Sequence, residues 1–418
     1  MFLLLSYLGF IASKELMPKP NSPADIAQSQ DSVAELLART SEEQQHLGYF
    51  YTLHEICQQP STWTRTCELM VQSAPALLHG LEGISSLTLT GSGSSEYAGD
   101  CVRIVLQKEL GINVQAVAGG ALLTHGTQAL AVGRPALMVS LARSGDSPES
   151  VGALALMLKT EPELRHLVLT CNGKGSLANA FRKDPRVVTI TLDERTNDRS
   201  LVMTSSFTNL VLAARFLGLI HDPSQYESIC TALADSARTL LQTQFDALAQ
   251  VAQAPFRRVL FLGSGARFAA AREAALKMLE MTAGHVTTAC ETYLGLRHGP
   301  MSAVHDDTLV VCFLSSEARL RAYEADVLQE LAQKQLGLFR LIAGNRVPRE
   351  LIGAKDVVIP YEHDEDLGDD SLPVLDVIVG QTLALFRCLG EGLRPDAPSA
   401  SGVIQRVVQG FPLHHSNG

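Results

Sequence analysis

Short apolar runs alternate with longer amphipathic stretches along most of the chain. The apolar runs are bounded by glycine and hydroxyl residues and are too short for helices, so they predict strands. From residue 86 the order is strand Ser86–Thr90, turn Gly91–Ser95, helix Glu96–Leu110 closed by Gly111, and strand Val114–Val117. Strand Pro135–Leu141, turn Ser144–Pro148 and helix Glu149–Lys159 follow. Strands His166–Thr170 and Val187–Thr191 and helix Ser206–Leu217, ended by Gly218, complete this unit. The Pro135–Leu141 run shows no alternation, as expected of a parallel strand covered on both faces.

The pattern then returns. Asp222–Ala254 reads as a helical linker. A strand from Arg258, turn Gly263–Gly265, helix Ala269–Thr282, strand Thr308–Phe313 and helix Glu317–Gln335 follow. Strands Leu338–Ala343 and Asp356–Ile359 and a closing helix Pro373–Leu389 end the second unit. The string LTLTGSG at 87–93 has its counterpart in LFLGSG at 260–265. Gly263 follows Gly91 by 172 residues, and the pairs Leu137/Leu309 and Leu169/Leu341 keep that interval. A repeat this long means tandem domains rather than a solenoid. The expected fold class is α/β, two tandem units, each a doubly wound parallel sheet flanked by helices. The boundaries read as a leader at 1–41, a first unit with leading helices at 42–220, a second unit with its linker helix at 221–395, and a tail at 396–418. Within the leading helical stretch Glu42–Gly80, Pro60 is expected to break the helix and Ser61 to cap the next one.

The run Phe2–Ala12 has the size of a signal peptide and is too short to span a bilayer. It lacks a preceding basic residue. It reads as a non-native extension from a misassigned start, with Met17 as one possible start, and a targeting or membrane segment as the other reading.

Composition narrows the function. At 418 residues and 46% apolar, two cores are easily filled. The net charge is −10 and no run of Lys and Arg marks a nucleic-acid face. An anionic ligand therefore needs a local site built from backbone N–H groups and hydroxyls. Eight cysteines are scattered without a CxxC pair. That is the usage of a reduced, cytoplasmic protein, and the clustered spacing of a zinc site is missing.

Both glycine turns, Gly91-Ser-Gly-Ser-Ser and Gly263-Ser-Gly-Ala-Arg, lack the third glycine of a dinucleotide motif, with Glu96 and Phe268 in its place. The loop Arg143-Ser144-Gly145-Asp146-Ser147 precedes a helix, where N–H groups and the helix dipole favour a phosphate. The same string is also a good N-cap turn. The second copy carries Ser315-Ser316-Glu317, where an acidic residue disfavours phosphate. Thr204, Ser205 and Ser206 add three hydroxyls near a sheet edge. His298, held in a His-Gly-Pro loop, and Glu280, at the end of ALKMLEM, are the acid/base candidates. An interior-facing Glu280 would have its pKa raised by burial; a solvated helix face is the plainer alternative.

Taken together, the strings resemble the sugar isomerase (SIS) domain proteins, and among them the galactosamine-6-phosphate deaminase/isomerase (AgaS) group, also called tagatose-6-phosphate ketose/aldose isomerases. RSGDSPESV at 143–151, NDRSLVMTSSFTN at 197–209, ETYLGLRHGPMS at 291–302 and RVVQG at 406–410 carry the resemblance, which runs from about Gly48 into the tail. It implies that Ser92, Ser144, Ser147 and the hydroxyls of Thr204–Ser206 line a sugar-phosphate site, beside Arg143. It implies Glu280 as the proton-shuttling glutamate, and His298 as the ring-opening histidine supplied from a neighbouring subunit of a homodimer or larger oligomer. No metal or redox cofactor is implied, and no nucleic acid or membrane partner. Two departures stand out. Ala142 occupies a position where many phosphate loops carry serine, and Arg406 one where glucosamine-6-phosphate synthases place a catalytic lysine. The implied activity is conversion of galactosamine 6-phosphate to tagatose 6-phosphate and ammonia. Alternatives are a glucosamine-6-phosphate deaminase, a non-deaminating hexose 6-phosphate isomerase, and a non-catalytic sugar-phosphate sensor.

Overall fold

The structure is a computed structural model and describes residues 33–362, 367–408 and 412–414. The run Phe2–Ala12 and Met17 lie outside the described residues, as do Gln409 and Gly410.

Among the described residues ten strands form two five-stranded parallel sheets. The first contains β1 (Ser86–Gly91), β2 (Asn113–Ala118), β3 (Ala136–Ala142), β4 (Arg165–Thr170) and β5 (Val187–Thr191), in the order β2-β1-β3-β4-β5. The second contains β6 (Arg258–Gly263), β7 (Thr287–Thr292), β8 (Thr308–Phe313), β9 (Phe339–Gly344) and β10 (Val357–Pro360), in the equivalent order β7-β6-β8-β9-β10. The helices that position the site are α1 (Phe50–Cys57), α2 (Gln59–Gln72), α3 (Ser94–Leu110), α4 (Pro148–Thr160), α5 (Ser205–Arg215), α6 (Pro223–Thr243), α7 (Ala266–Met281), α8 (Ala318–Gln333) and α9 (Pro373–Gly390).

The expected fold class is what is observed, two tandem doubly wound sheets. Strands β1, β3 and β8 are buried at every position, which explains their unbroken apolar character. Three local expectations change. The helical stretch does break beside Pro60, at Gln58, but Pro60 itself lies in the first turn of α2, where a missing N–H costs nothing. Ser61 is no cap; its hydroxyl donates to Gln58 O at 2.8 Å. And β7, Thr-Thr-Ala-Cys-Glu-Thr, is a fifth strand of the second unit that the apolar pattern did not announce. It is an edge strand, with no residue fully buried.

The repeat also slips. β6 begins 172 residues after β1, but Arg165 pairs with Leu137 as Phe339 pairs with Leu309, an interval of 174. Ala343, not Leu341, is the structural counterpart of Leu169.

One core runs through both units. Helix α9 lies at its centre, and α7 and α9 approach so closely that a Cβ on Gly380 would fall 2.5 Å from Ala274 Cβ. Helix α9 is long and apolar enough to cross a membrane, but 89% of its apolar window is buried against the rest of the protein. Helix α7 also packs along α3 of the first unit. Lys277 meets Ser94, and Arg272 meets Asp100 further along, so the two helices run antiparallel.

Candidate active site

In an open parallel sheet, ligands bind beyond the carboxyl ends of the strands where the strand order reverses. In the first unit that point lies between β1 and β3. The loops after these strands carry Ser92 and Arg143–Ser147. Ser92 Oγ is buried without a hydrogen-bond partner among the described residues. Gly119 leaves it room, since a Cβ there would stand 3.2 Å from this oxygen. An unpaired buried hydroxyl is costly unless a ligand completes it.

The loop after β3 is fixed from behind. Gly145 takes φ +67°, which a residue with a side chain rarely adopts. Asn172 Nδ2 donates to Ser144 O at 2.8 Å. Asp146 Oδ1 accepts from Ser176 N (2.8 Å) and Ser176 Oγ (2.9 Å), which ties its carboxylate to the adjacent loop. Ser147 caps α4, accepting from Ser150 N at 3.3 Å and donating to Ser150 Oγ at 2.8 Å. Ser144 Oγ accepts from Asp146 N at 3.2 Å.

The Arg143 side chain is spent elsewhere. Its buried guanidinium donates to Ser200 O (3.4 Å), Leu201 O (3.0 Å) and Arg406 O (2.5 Å). Burial lowers its pKa, and nearby Arg406 adds to this, against the opposing pull of Asp198, Glu280 and Glu55. Arg406 donates from Nε to Asp198 O and from Nη2 to Asn197 Oδ1, each at 2.7 Å. This arginine anchors the tail across the 197–201 segment.

Thr204, Ser205 and Ser206 are wholly buried. Ser205 Oγ and Ser206 Oγ donate to Asp198, as do Thr204 N and Ser206 N at 2.8 Å. Thr204 Oγ1 donates to Glu55 Oε2 at 3.2 Å. The three hydroxyls expected at the site are thus engaged by Asp198 and Glu55.

Glu280 comes from the second unit. It lies in the last turn of α7, which runs back along its sheet while its C-terminal end meets the N-terminus of α3. Lys277 Nζ is 2.6 Å from Glu280 Oε2, 3.2 Å from Glu273 Oε1 and 3.0 Å from Ser94 Oγ in the turn after β1. Glu280 is thereby held at the carboxyl edge of the first sheet, about a quarter exposed. Glu273 is fully buried, and burial pushes its carboxyl up to about 7 despite Lys277. Burial disfavours the Lys277 charge, but Glu273 and Glu280 more than offset this and hold its pKa above the ordinary value.

His298 is not brought to Glu280 within the chain. It is exposed, in the loop between β7 and β8, on the carboxyl side of the second sheet. Glu280 stands near the far end of α7, a helical rise on the order of 20 Å from that edge.

Lys277, Glu273, Ser94, Asp198 and Glu55 did not emerge from the sequence as site residues. For Lys277 a signal existed: Glu273, Lys277 and Glu280 are spaced i, i+4 and i+7 on one helix face.

No family model matches the chain. D-galactosamine-6-phosphate deaminase AgaS of Escherichia coli is 36% identical over 373 residues, covering 87% of this chain and 95% of that protein. The chain belongs to the AgaS family. The D-galactosamine-6-phosphate deaminase AgaS of Shewanella sp. (strain ANA-3) is 34% identical over 90% of this chain and 95% of its own length. The crystal structure of tagatose-6-phosphate ketose/aldose isomerase from Escherichia coli superposes with a TM-score of 0.80 at 31% identity, over 88% of this chain and 97% of that one. The C-terminal domain of glucosamine-fructose-6-phosphate aminotransferase from Francisella tularensis shares the fold, with a TM-score of 0.71 at 19% identity, over 83% of this chain and 98% of that one.

In this AgaS-family chain the second unit's equivalent loop is filled from within. Asp369 accepts from Ser315 Oγ, from Ser316 N at 2.9 Å and from Ser316 Oγ at 2.9 Å. Glu317 caps α8. Arg267, in the second glycine turn, is wholly buried and paired with Asp376 (Nη2–Oδ1 2.6 Å), which also accepts from Tyr361 Oη at 2.6 Å. A carboxylate thus sits where the first unit leaves an open loop.

Proposed function

We propose that this chain is an aminosugar-phosphate deaminase/isomerase that converts galactosamine 6-phosphate and water to tagatose 6-phosphate and ammonia. The carrying observation is Glu280 held by Lys277, which also donates to Ser94 beside the first sheet's switch point. The relatives named as D-galactosamine-6-phosphate deaminases support the choice of substrate. The phosphate is taken by the N–H groups and hydroxyls of the loop Ser144–Ser147, with the Ser92 hydroxyl beside it. His298 of the partner subunit passes a proton between the ring oxygen and O1, opening the ring. Glu280 then removes the proton from C2 and returns it to C1. The resulting 2-imine hydrolyses, so that the C2–N bond breaks and ammonia leaves. Steps of this kind are worth about 10²–10⁴-fold each.

The separation of His298 from Glu280 along α7 supports an assembly in which a second copy completes each site, a homodimer or larger homo-oligomer. Eight cysteines without a disulfide suit a cytoplasmic enzyme. Ammonia release measured with galactosamine 6-phosphate and glucosamine 6-phosphate side by side tests the reading. Release from the galacto sugar at the higher kcat/KM is expected. Isomerisation of an unaminated hexose 6-phosphate without any ammonia release from either aminosugar overturns it.

A further inference from the structure

The two units are related about the crossing of α3 and α7, where residues 172 apart in the chain, Asp100 and Arg272, meet at 3.0 Å. What the end of α7 brings to the first sheet, the end of α3 brings to the second. The residue 172 positions before Glu280 is Lys108, and the one 172 before Lys277 is Val105. The acid/base pair is therefore missing from the second unit. Its phosphate position is closed too, because the donors of Ser315 and Ser316 are taken by the Asp369 carboxylate.

A pocket of about 290 Å³ nevertheless remains beside that loop. Asp370 and Ser371, next to Asp369, form one wall; Arg215 at the end of α5 and Gln225, Ser228 and Ile229 in the first turns of α6 form the other. Its volume lies at the lower end of small-molecule sites, which start at about 300 Å³, so one sugar ring fits and a nucleotide does not. Arg215 is 6% exposed. Its Nη1 and Nη2 both donate to Glu109 in the last turn of α3, the second at 2.6 Å. The guanidinium fork is planar and rigid, so Nε–H is left pointing away from Glu109. Nε is buried and has no partner among the described residues. Burial raises the pKa of Asp370, with Arg215 and Lys108 opposing and Asp369 and Glu109 adding to the rise. Three carboxylates and two cations leave this region one positive charge short.

We propose that this pocket is a second, non-catalytic site for a phosphate-free aminosugar, whose ammonium pairs with Asp370 and one of whose ring hydroxyls accepts from Arg215 Nε. The choice of ligand rests on the reading of the first unit as an aminosugar-phosphate site, since the second cleft is its duplicate. Asp369 stands where the phosphate would be, and its charge with that of Asp370 repels an anionic ligand. The ammonium supplies the positive charge the region lacks. With Lys108 in the place of the proton-shuttling glutamate, the bound sugar is held without being turned over.

The test is calorimetric titration of the whole protein with galactosamine at pH 6.5, where the amine is protonated, with and without saturating galactitol 6-phosphate, a polyol phosphate with no carbonyl to react. One galactosamine per chain is expected, at an affinity that the polyol phosphate changes by less than about threefold. Galactose, which has no amine, should bind about tenfold more weakly or worse, and so should galactosamine to Asp370→Asn. Gln225→Trp, a change at the exposed rim that fills the pocket, should abolish galactosamine binding and leave ammonia release intact. Displacement of galactosamine by the polyol phosphate overturns the proposal, because it places the sugar in the first unit. Galactose binding as tightly as galactosamine overturns it, as does native affinity in either variant when folded by circular dichroism, or no binding to the native protein. If the polyol phosphate binds nowhere, galactose and the two variants decide alone. The outcomes separate from those of the reaction. Ammonia release from galactosamine 6-phosphate without galactosamine binding sinks only this inference. Galactosamine binding that both variants lose, with no ammonia released from either aminosugar phosphate, sinks only the proposed reaction.

Discussion

Replacing Lys277 with Met removes the cation that lies beside Glu273 in the core. The side chains of Lys277 and Glu273 are 1% and 0% exposed, and their charged atoms are 3.2 Å apart. Taking one partner from a buried pair costs about 3–5 kcal/mol, because the remaining charge is left uncompensated. Glu273 escapes part of that cost by holding a proton, which gives the effect a pH signature. Its folded pKa, about 7, is already raised above the ordinary 4.5. A carboxyl raised on folding contributes stability that is fully present below pH 4.5 and lost as pH rises towards the folded pKa. In the native protein that loss levels off near pH 7. Without Lys277 the folded pKa rises further, so the loss continues above pH 7 at about 1.4 kcal/mol per pH unit. The gap in unfolding free energy between the native protein and Lys277→Met should therefore widen by roughly that amount from pH 7 to 8. Urea unfolding at pH 6.5, 7 and 8, with matched m-values, measures it. A gap below about 1 kcal/mol at pH 8, or one that does not change with pH, would refute the account of Lys277 as counter-charge to Glu273.

Other expectations follow from the same geometry. Ser144→Ala with Ser147→Ala should chiefly raise KM for phosphorylated sugars, since those contacts exist in ground and transition states alike; because Ser147 also caps α4, about 1 kcal/mol of stability should go with it. An unchanged KM would remove the loop from the phosphate site. Mixed oligomers of His298→Ala and Glu280→Gln chains should regain part of the activity that neither has alone; none returning after verified subunit exchange would show that sites are not shared. Glu280→Gln should lower kcat about 10²-fold or more with KM little changed. An open-chain substrate analogue should then rescue His298→Ala but not Glu280→Gln, and equal rescue of both would mean the two roles are assigned wrongly.

The duplicated α/β architecture was legible because β1, β3, β6 and β8 are covered on both faces and so read as apolar runs with glycine after them. Strand β7 was not, because an edge strand exposes its residues and needs no apolar run. The two-residue slip between β4 and β9 was hidden for a related reason: Leu169 and Leu341 are both buried strand positions, and only the pairing with β3 and β8 shows that they are not equivalent. The hydroxyl-rich loops were visible as strings, but not the direction each side chain takes. Arg143 reads as a phosphate ligand beside Ser144, yet its partners are carbonyls at 200, 201 and 406. Glu55 and Asp198 had no local signature, since the groups that give Glu55 its character lie some 144 or more positions away in the chain. Charge pairs between such segments are properties of the packing, not of spacing.

The Asp369 carboxylate in the second unit's loop has a consequence for the response to ligand. Ser315 and Ser316 have their acceptor within the chain, so that loop is closed whether or not sugar is present. In the first unit Ser92 Oγ has no partner among the described residues, and under the proposed reading the sugar phosphate would supply one. A saturating sugar phosphate should therefore raise the unfolding free energy by a single-site increment, about 2.7 kcal/mol at a hundredfold excess over Kd, and not by twice that amount. Amide exchange should slow first around the β1 and β3 loops and hardly at all around β8. On the proposed reading, a duplicated chain of this kind is expected to behave towards its ligand as one receptor beside a twin whose loop is closed from within.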